Sequence, residues 1–476
     1  MKIELKNLGQ VKKALIDNKD LTVIVGDNGS GKTLLLEAKT FILNSYSKHL
    51  HNVIKNLREK YSDYLKFDTD WTEINKFISE TSKDFKKEEP RSSFKFTLQN
   101  QLDSSIRKSM NEDIAEQFKH FKKTTIEALN KEILMVENSD LDFELFDTPR
   151  IADITYIECN LIMFDPEILM LEMFDKADLF FMRVPIMLDA PSASDYLMNE
   201  ETDPNIIKVK KHLYEPVIMM QDQIRNYFIG GFFTEITRNI NTLFLPSERN
   251  LYMDVALAKT IKENLESRYS FSRENTKVRY SEHLFNLAYL NYKDNLNRFR
   301  RPDFENVYKV DPDLTKIFGG KLIFDEEGDI KSLVTHEGTE IKRELFSTKQ
   351  NRLIPYLIIM PPVGRQYKEV IIEEPEAHLS LKGMRELLGY LKSLIEKGIK
   401  ITLTTHSDVF YSHLNNFILM DDKVQSKVYE LKKIGDESFL EEKEKTKYGY
   451  EIDLFTEELN ELYEKTLSIQ NDIDEY

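Results

Sequence analysis

Residues 26–33 read GDNGSGKT, and the fold follows from them. They satisfy the pattern G-x-x-x-x-G-K-[ST] at every fixed position. Leu21 to Val25, LTVIV, precede them as an apolar, β-branched run, and a helix is expected from Lys32 to about Leu43. Strand, glycine loop and helix in that order are the setting in which this pattern holds phosphate and is more than a glycine-rich turn. Gly26, Gly29 and Gly31 let the loop curl, so that main-chain N–H groups around Asp27, Asn28 and Ser30 converge on phosphate oxygens. The following helix adds its positive end. Lys32 supplies a mobile charge for the β- and γ-phosphates of a nucleotide, and Thr33 a hydroxyl for Mg2+.

Far downstream, residues 370–379 read VIIEEPEAHL. Three apolar β-formers deliver two adjacent carboxylates to the carboxyl end of a strand, where open α/β sheets bind ligands. Glu373 suits a hard cation, held directly or through water. Glu374 suits the water that attacks a γ-phosphate, as its base or its orienting group. Alone, EEPE reads as a surface turn; the upstream glycine loop gives it chemistry. Residues 400–407, KITLTTHS, form another apolar run that closes on Thr404, Thr405 and His406. Just past a strand end, His406 can hydrogen-bond a γ-phosphate or hold the attacking water; the bland alternative is a histidine satisfied in the core. His378 is expected on a helix surface, without a role.

The rest of the chain sets bounds. Of 476 residues, 41% are hydrophobic and 31% charged, ordinary values for a globular protein. No apolar run approaches the ~18 residues of a membrane span. The opening MKIELKNLGQ lacks the apolar core of a secretory signal, so a cytoplasmic protein with no membrane partner is expected. The single cysteine, Cys159, excludes a disulfide framework or multi-cysteine zinc site within one chain and reads as a small buried residue. A net charge of −16 argues against a broad nucleic-acid surface without forbidding a local basic groove. Half of it lies in residues 448–476, nine acidic residues against one lysine. That segment reads as a solvated helical face, or alternatively as a docking tail for a basic partner.

Hydrophobic patterning divides the chain. Residues 1–43 carry the glycine loop. Over 44–138, Ile54, Leu57 and Tyr61, then Ile106, Met110, Ile114 and Phe118, recur at helical spacing among many charges. A mostly helical insertion is expected there, with one strand at Phe94 to Leu98. Residues 139–252 continue the first domain, with strands at Leu141 to Leu145 and Ile154 to Ile157, and 253–312 read as a second helical insertion. A hairpin from Lys321 to Phe324 and Ile330 to Val334 opens the segment 313–447, in which helices and strands alternate. Residues 448–476 form an acidic helix. Such alternation implies an α/β protein with a mostly parallel sheet covered by helices.

GDNGSGKT, IIEEPEAHL and TLTTHS in this order, with the opening MKIELKNLGQVKKALIDNKDLTVIVGDNGSGKT, resemble the ABC-type ATPase heads of the SMC, RecF and OLD (overcoming lysogenisation defect) group. The likeness is specific at both ends of the chain and weak across the insertions. It implies an ABC/SMC-like P-loop NTPase head with helical, coiled-coil-like insertions, which binds ATP and Mg2+ and hydrolyses ATP. It also implies a homodimer or higher homo-oligomer in which two heads sandwich two nucleotides. The group's signature loop, which reaches the other subunit's γ-phosphate, is matched by LFSTKQNRLIPYL (345–357). Ser347 is then the trans contact, with a plain helix N-cap as the alternative. Lys349 stands where the group has glycine, leaving open whether main-chain N–H groups or an ammonium complete the site. FLPSERNLY (244–252) is similar to a stretch of the OLD-like branch; Arg249 would sense nucleotide or brace the dimer, and a surface salt bridge is the plainer reading. For the group's glutamine loop, the region near Glu158 is the candidate.

Three functions compete. One is the ATPase subunit of a bacterial anti-phage (abortive infection) complex, resembling the ATPases of PARIS and Septu, which scaffolds and restrains a separate nuclease or toxin. Another is a RecF/SMC-like DNA-repair ATPase that binds DNA directly. The third is a non-hydrolysing, nucleotide-dependent scaffold. The acidic charge disfavours direct DNA binding, and one cysteine cannot supply a C-x-x-C zinc hook. The residues after His406 show no acidic cluster suited to a TOPRIM nuclease, so any nuclease is expected on another polypeptide.

Overall fold

The computed structural model describes residues 2–61, 64, 67–83, 93–100, 103–146, 156–165, 168–175, 181–187, 242–247, 279–298, 310–324, 330–360, 367–421 and 423–474. Along the chain, β1 (Lys2–Leu8), β2 (Val11–Asp17) and β3 (Leu21–Gly26) precede α1 (Lys32–Tyr61). Next come β4 (Phe67–Asp68), α2 (Trp71–Lys83), β5 (Ser93–Asn100) and α3 (Ser104–Leu129). They lead to β6 (Asp142–Leu145), β7 (Tyr156–Asp165), β8 (Ile168–Asp175), β9 (Phe181–Met187) and β10 (Thr242–Leu245). Then follow α4 (Tyr280–Arg298), α5 (Pro312–Phe318), β11 (Gly320–Phe324), β12 (Ile330–Thr335), β13 (Glu340–Lys342) and α6 (Thr348–Leu353). The chain finishes with β14 (Glu369–Glu373), α7 (Leu381–Glu396), β15 (Lys400–Thr405), α8 (Asp408–Met420), β16 (Ser426–Ile434), β17 (Glu437–Glu442) and α9 (Asp453–Asp474).

Two compact units result: Met1–Ser47, Phe121–Asp147 and Asn239–Tyr476 form the first, and Lys48–His120 with Thr148–Arg238 the second. The first is a P-loop α/β head. Its nine-stranded sheet runs β10-β14-β15-β3-β16-β17-β2-β1-β6. The five strands from β10 to β16 are all parallel, and antiparallel pairs appear only beyond them. β3 (LTVIVG) and β14 (EVIIE) are buried at every residue, as strands covered on both faces require. Val23, Val25, Ile372 and Leu403 share one core with Leu387, Leu391 and Leu394 of α7 and Phe410 and Leu414 of α8. The expected hairpin is present as the antiparallel pair β11–β12, and its turn lies outside the described residues.

The insertions differ from expectation. The boundary placed at 43/44 falls inside α1, a single helix of 30 residues and roughly 45 Å. The helix continues because its pattern continues: Leu50, Val53, Leu57 and Tyr61 are buried as regularly as Leu35 and Leu36. Residues 121–138, expected in the insertion, belong to the head, whereas Thr148–Arg238, expected in the head, belong to the second unit. Over 44–138 the described residues are mostly helical, and the second unit also contains the antiparallel sheet β4-β5-β7-β8-β9. The alternation at Phe94, Phe96 and Leu98 marks β5, and the strand expected at Ile154 to Ile157 overlaps the start of its partner β7, but nothing local announces that the two pair. Within this unit α1 and α3 meet through Tyr61, whose hydroxyl donates to Asp113 at 2.7 Å, and through His49 against Phe118. Most of 253–312 lies outside the described residues, where only α4 and the start of α5 are seen. Among the described residues no helix is long and apolar enough to cross a membrane.

One buried ion pair ties the head together at the amino end of β14. Lys39 of α1 has no exposed surface, and its ammonium donates to Asn18 Oδ1 (2.7 Å), Glu369 Oε1 (2.7 Å) and Thr402 Oγ1 (2.6 Å). All three donors are thereby used, on groups from three different segments. Lys39→Met should leave Glu369 buried without its counter-charge and destabilise the head by about 3–5 kcal/mol. Adding Glu369→Leu should recover most of that loss in urea unfolding; a double variant no more stable than the single one would refute the pairing.

Candidate nucleotide site

The loop between β3 and α1 is curled by Gly29 at φ 73° and Gly31 at φ 99°, both in the left-handed region that favours glycine. At Gly31 space is closed as well, since a Cβ there would stand 2.9 Å from Gln10 Nε2 and from Val11 Cγ2. Gln10, in the β1–β2 turn, donates to the Gly29 carbonyl at 2.6 Å and braces the loop from outside. Within the loop, the Ser30 N–H donates to the Asp27 carbonyl at 3.2 Å, and the Asn28 N–H to Asp27 Oδ1 at 2.6 Å. Lys32 is buried and donates to the carbonyls of Gly26 (2.7 Å) and Asp27 (2.9 Å). Burial pulls its ammonium below the ordinary lysine range, against the opposing charges of Glu374, Asp27, Glu373 and Glu376. The loop is thus shaped before any phosphate arrives, with a partly desolvated cation at its centre.

The acidic strand end meets this loop. Parallel pairing of β14 with β15 and of β15 with β3 brings Glu373, Thr405 and Gly26 out at one edge of the sheet. There the Thr33 hydroxyl donates to Glu373 Oε1, across 340 positions of sequence. The other Glu373 oxygen accepts the Ser247 N–H at 3.1 Å, and the Ser247 carbonyl accepts Arg352 Nη1 of α6 at 2.8 Å. A hydroxyl beside a carboxylate is a hard-oxygen donor set, which fits Mg2+.

Glu374 follows at φ 45°, uncommon for a residue with a side chain, its N–H donating to the Thr404 carbonyl at 3.2 Å. His406 Nδ1 lies 3.1 Å from Glu374 Oε1. With Nδ1–H donating to the carboxylate, Nε2 is the acceptor of the neutral ring. The side chains of His406 and Glu374 are 42% and 24% exposed, so this pair opens to solvent. Behind it Glu376 is buried and accepts the Thr405 hydroxyl at 2.5 Å.

The structure therefore brings Lys32, Thr33, Glu373, Glu374 and His406 together. Ser347 is the exposed N-cap of α6, in a capping box with Gln350. The Lys349 ammonium pairs with Glu386 of α7 in the same chain. His378 is on the surface, but in a turn at φ 63°, because Pro375 and the tight turn after β14 delay the next helix to Leu381. Arg249 lies outside the described residues. Glu158 sits on β7 of the second unit, and the Ser247 N–H, just after β10, donates to Glu373. Cys159 is buried, which pushes its thiol up. Gln10, Ser247, Arg352 and Glu376 were not legible as site residues. Glu376 stands inside EEPE, Ser247 inside FLPSERNLY and Arg352 inside LFSTKQNRLIPYL, but what each touches is set by tertiary contacts.

The family described as AAA ATPase domain (AAA_15) matches residues 1–411. The chain belongs to this ATPase family. No curated protein matches it. Among solved structures this ATPase is similar to the SMC head domain from Thermotoga maritima, at 12% identity and TM-score 0.30, over 93% of this chain and 98% of that chain. It is also similar to the Smc head domain with an extended coiled coil bound to the C-terminal domain of ScpA, derived from Pyrococcus furiosus. There the identity is 14% and the TM-score 0.31, over 97% and 98% of the two chains. Likeness at this level does not define the fold; the strand order and the glycine loop do.

Glu373→Gln should weaken binding of ATP with Mg2+ by about tenfold or more, as loss of a group that holds or orients a metal ligand does. Binding of ATP in EDTA should change little. Calorimetric titrations with and without Mg2+ check this, and an equal loss in both would remove Glu373 from the metal site.

Proposed function

We propose that this ATPase hydrolyses ATP at the glycine loop, with two heads closing on two nucleotides, and that the cycle controls a separate effector protein. The observation that carries the reading is the meeting of Thr33 with Glu373 and of Glu374 with His406 at one sheet edge. ATP phosphates would draw Lys32 from the loop carbonyls and accept the loop's N–H groups, Gly26 to Thr33 forming the cradle. Thr33 and Glu373 would hold Mg2+, which would neutralise charge on the bound phosphates. Glu374 takes the proton of the attacking water, and His406 holds that carboxylate in position and faces the γ-phosphate through Nε2.

Closure of a second head is supported by what surrounds the site. The Glu374–His406 pair is open to solvent, and Leu345, Leu381 and Val409 are exposed apolar residues close in sequence to Ser347, Glu376 and His406. Leu345 adjoins the Ser347 cap, Leu381 begins α7, and Val409 lies three residues past His406. Ser347 is the proposed trans contact to the neighbouring γ-phosphate. The pairing of Lys349 with Glu386 favours a contact through the serine and main chain over one through that ammonium. The wider assignment, a cytoplasmic sensor and scaffold of a bacterial anti-phage complex restraining a nuclease or toxin, rests on the sequence resemblance to OLD-like ATPases. A net charge of −16 lends no support to direct DNA binding.

Lys32→Ala should abolish ATP turnover and nucleotide binding in the purified protein; unchanged turnover would remove the assignment. Glu374→Gln should slow hydrolysis by roughly 10²–10⁴-fold, the usual worth of a general base. It should also accumulate an ATP-bound dimer in light scattering, and a mass that ignores ATP counts against the sandwich. Ser347→Ala should lower turnover while leaving single-head ATP binding intact; full turnover there would leave Ser347 as a helix cap only.

A further inference from the structure

The proposed reaction employs Glu373, Glu374 and His406, and leaves over the third carboxylate of the same motif. Glu376 is 5% exposed. Its Oε1 accepts the Thr405 hydroxyl at 2.5 Å, and among the described residues its Oε2 is buried with no hydrogen-bond partner. A buried carboxylate with one bare oxygen is costly, and the neutral acid much less so. Burial accordingly pushes the Glu376 carboxyl above the usual range, against the pull of the Thr405 hydroxyl and of His406.

Thr405 passes the contact on. Its Oγ1 accepts the Ser407 N–H at 3.0 Å, and Ser407 Oγ accepts the Phe410 N–H at 3.2 Å to cap α8. The residue bracketed by these two anchored positions is His406, 3.1 Å from Glu374. On the other side, the turn that carries Glu374 also carries Glu376, closed by the Ala377 N–H on the Glu374 carbonyl at 3.1 Å. The Glu376–Thr405 bond therefore ties together the two backbone segments that present Glu374 and His406.

We infer that Glu376 is a positioning residue for hydrolysis, which fixes His406 against Glu374 by holding Thr405 through a hydrogen bond and not through its charge. The inference rests on the hydrolytic reading above. In steady-state assays of the full chain, Glu376→Ala lowers kcat by roughly ten- to a hundredfold, the scale of a ~1 Å misplacement of a reacting group. KM for ATP and ATP affinity in EDTA do not move. Thr405→Val, which keeps the side-chain shape, gives the same split, so a folding defect in the alanine variant does not decide the matter. Glu376→Gln retains an acceptor for the Thr405 hydroxyl and recovers most of the rate. In a His406→Ala background, Glu376→Ala adds no further loss, as expected of residues acting in one unit. Full turnover in both Glu376→Ala and Thr405→Val overturns the inference. So does a Glu376→Gln variant as slow as Glu376→Ala, or losses that multiply with His406→Ala. Wild-type turnover removed by Lys32→Ala secures the ATPase reading in the same assay, so that any of these results sinks this inference alone. A wild-type chain without turnover sinks both.

Discussion

The hydrogen bond from Thr33 to Glu373 is the constraint on which the site depends. Its two residues can meet only if β3 and β14 are held in one register, with β15 between them. Everything that sets this register therefore serves the chemistry: the unbroken apolar runs of β3 and β14, and the helices α7 and α8 packed on their face. A one-residue slip of β14 would turn Glu373 to the other face of the sheet and separate it from Thr33.

Buried lysines mark both ends of this arrangement, and they differ in kind. Lys39 is saturated by Asn18, Glu369 and Thr402, so its charge is spent inside the fold and locks α1 to the amino ends of the strands. Lys32 sits instead on the carbonyls of its own loop, which are weaker partners than phosphate oxygens, and several carboxylates crowd its surroundings. The first lysine resists change. The second is arranged to exchange partners, and the same helix carries both.

α1 has a further consequence. It starts in the glycine loop and runs without interruption into the second unit, and α3 returns from that unit to the head.

By itself the sequence determined the chemistry and its local settings. GDNGSGKT specified a strand, a curled loop and a helix, because the positive φ at positions 29 and 31 favours glycine and the curl turns the loop amides inward. VIIEEP and KITLTTHS fixed two more buried strands and the functional groups at their ends, because apolar β-branched runs leave a chain few alternatives. Tertiary structure alone decided the rest. The placement of Ser247 and Arg352 against Glu373 needed β10 to become the neighbour of β14, and the partnership of β5 with β7 needed strands distant in sequence to find each other. Such pairings arise from the free energy of burying whole faces together, a property of the assembled layers that no single segment carries.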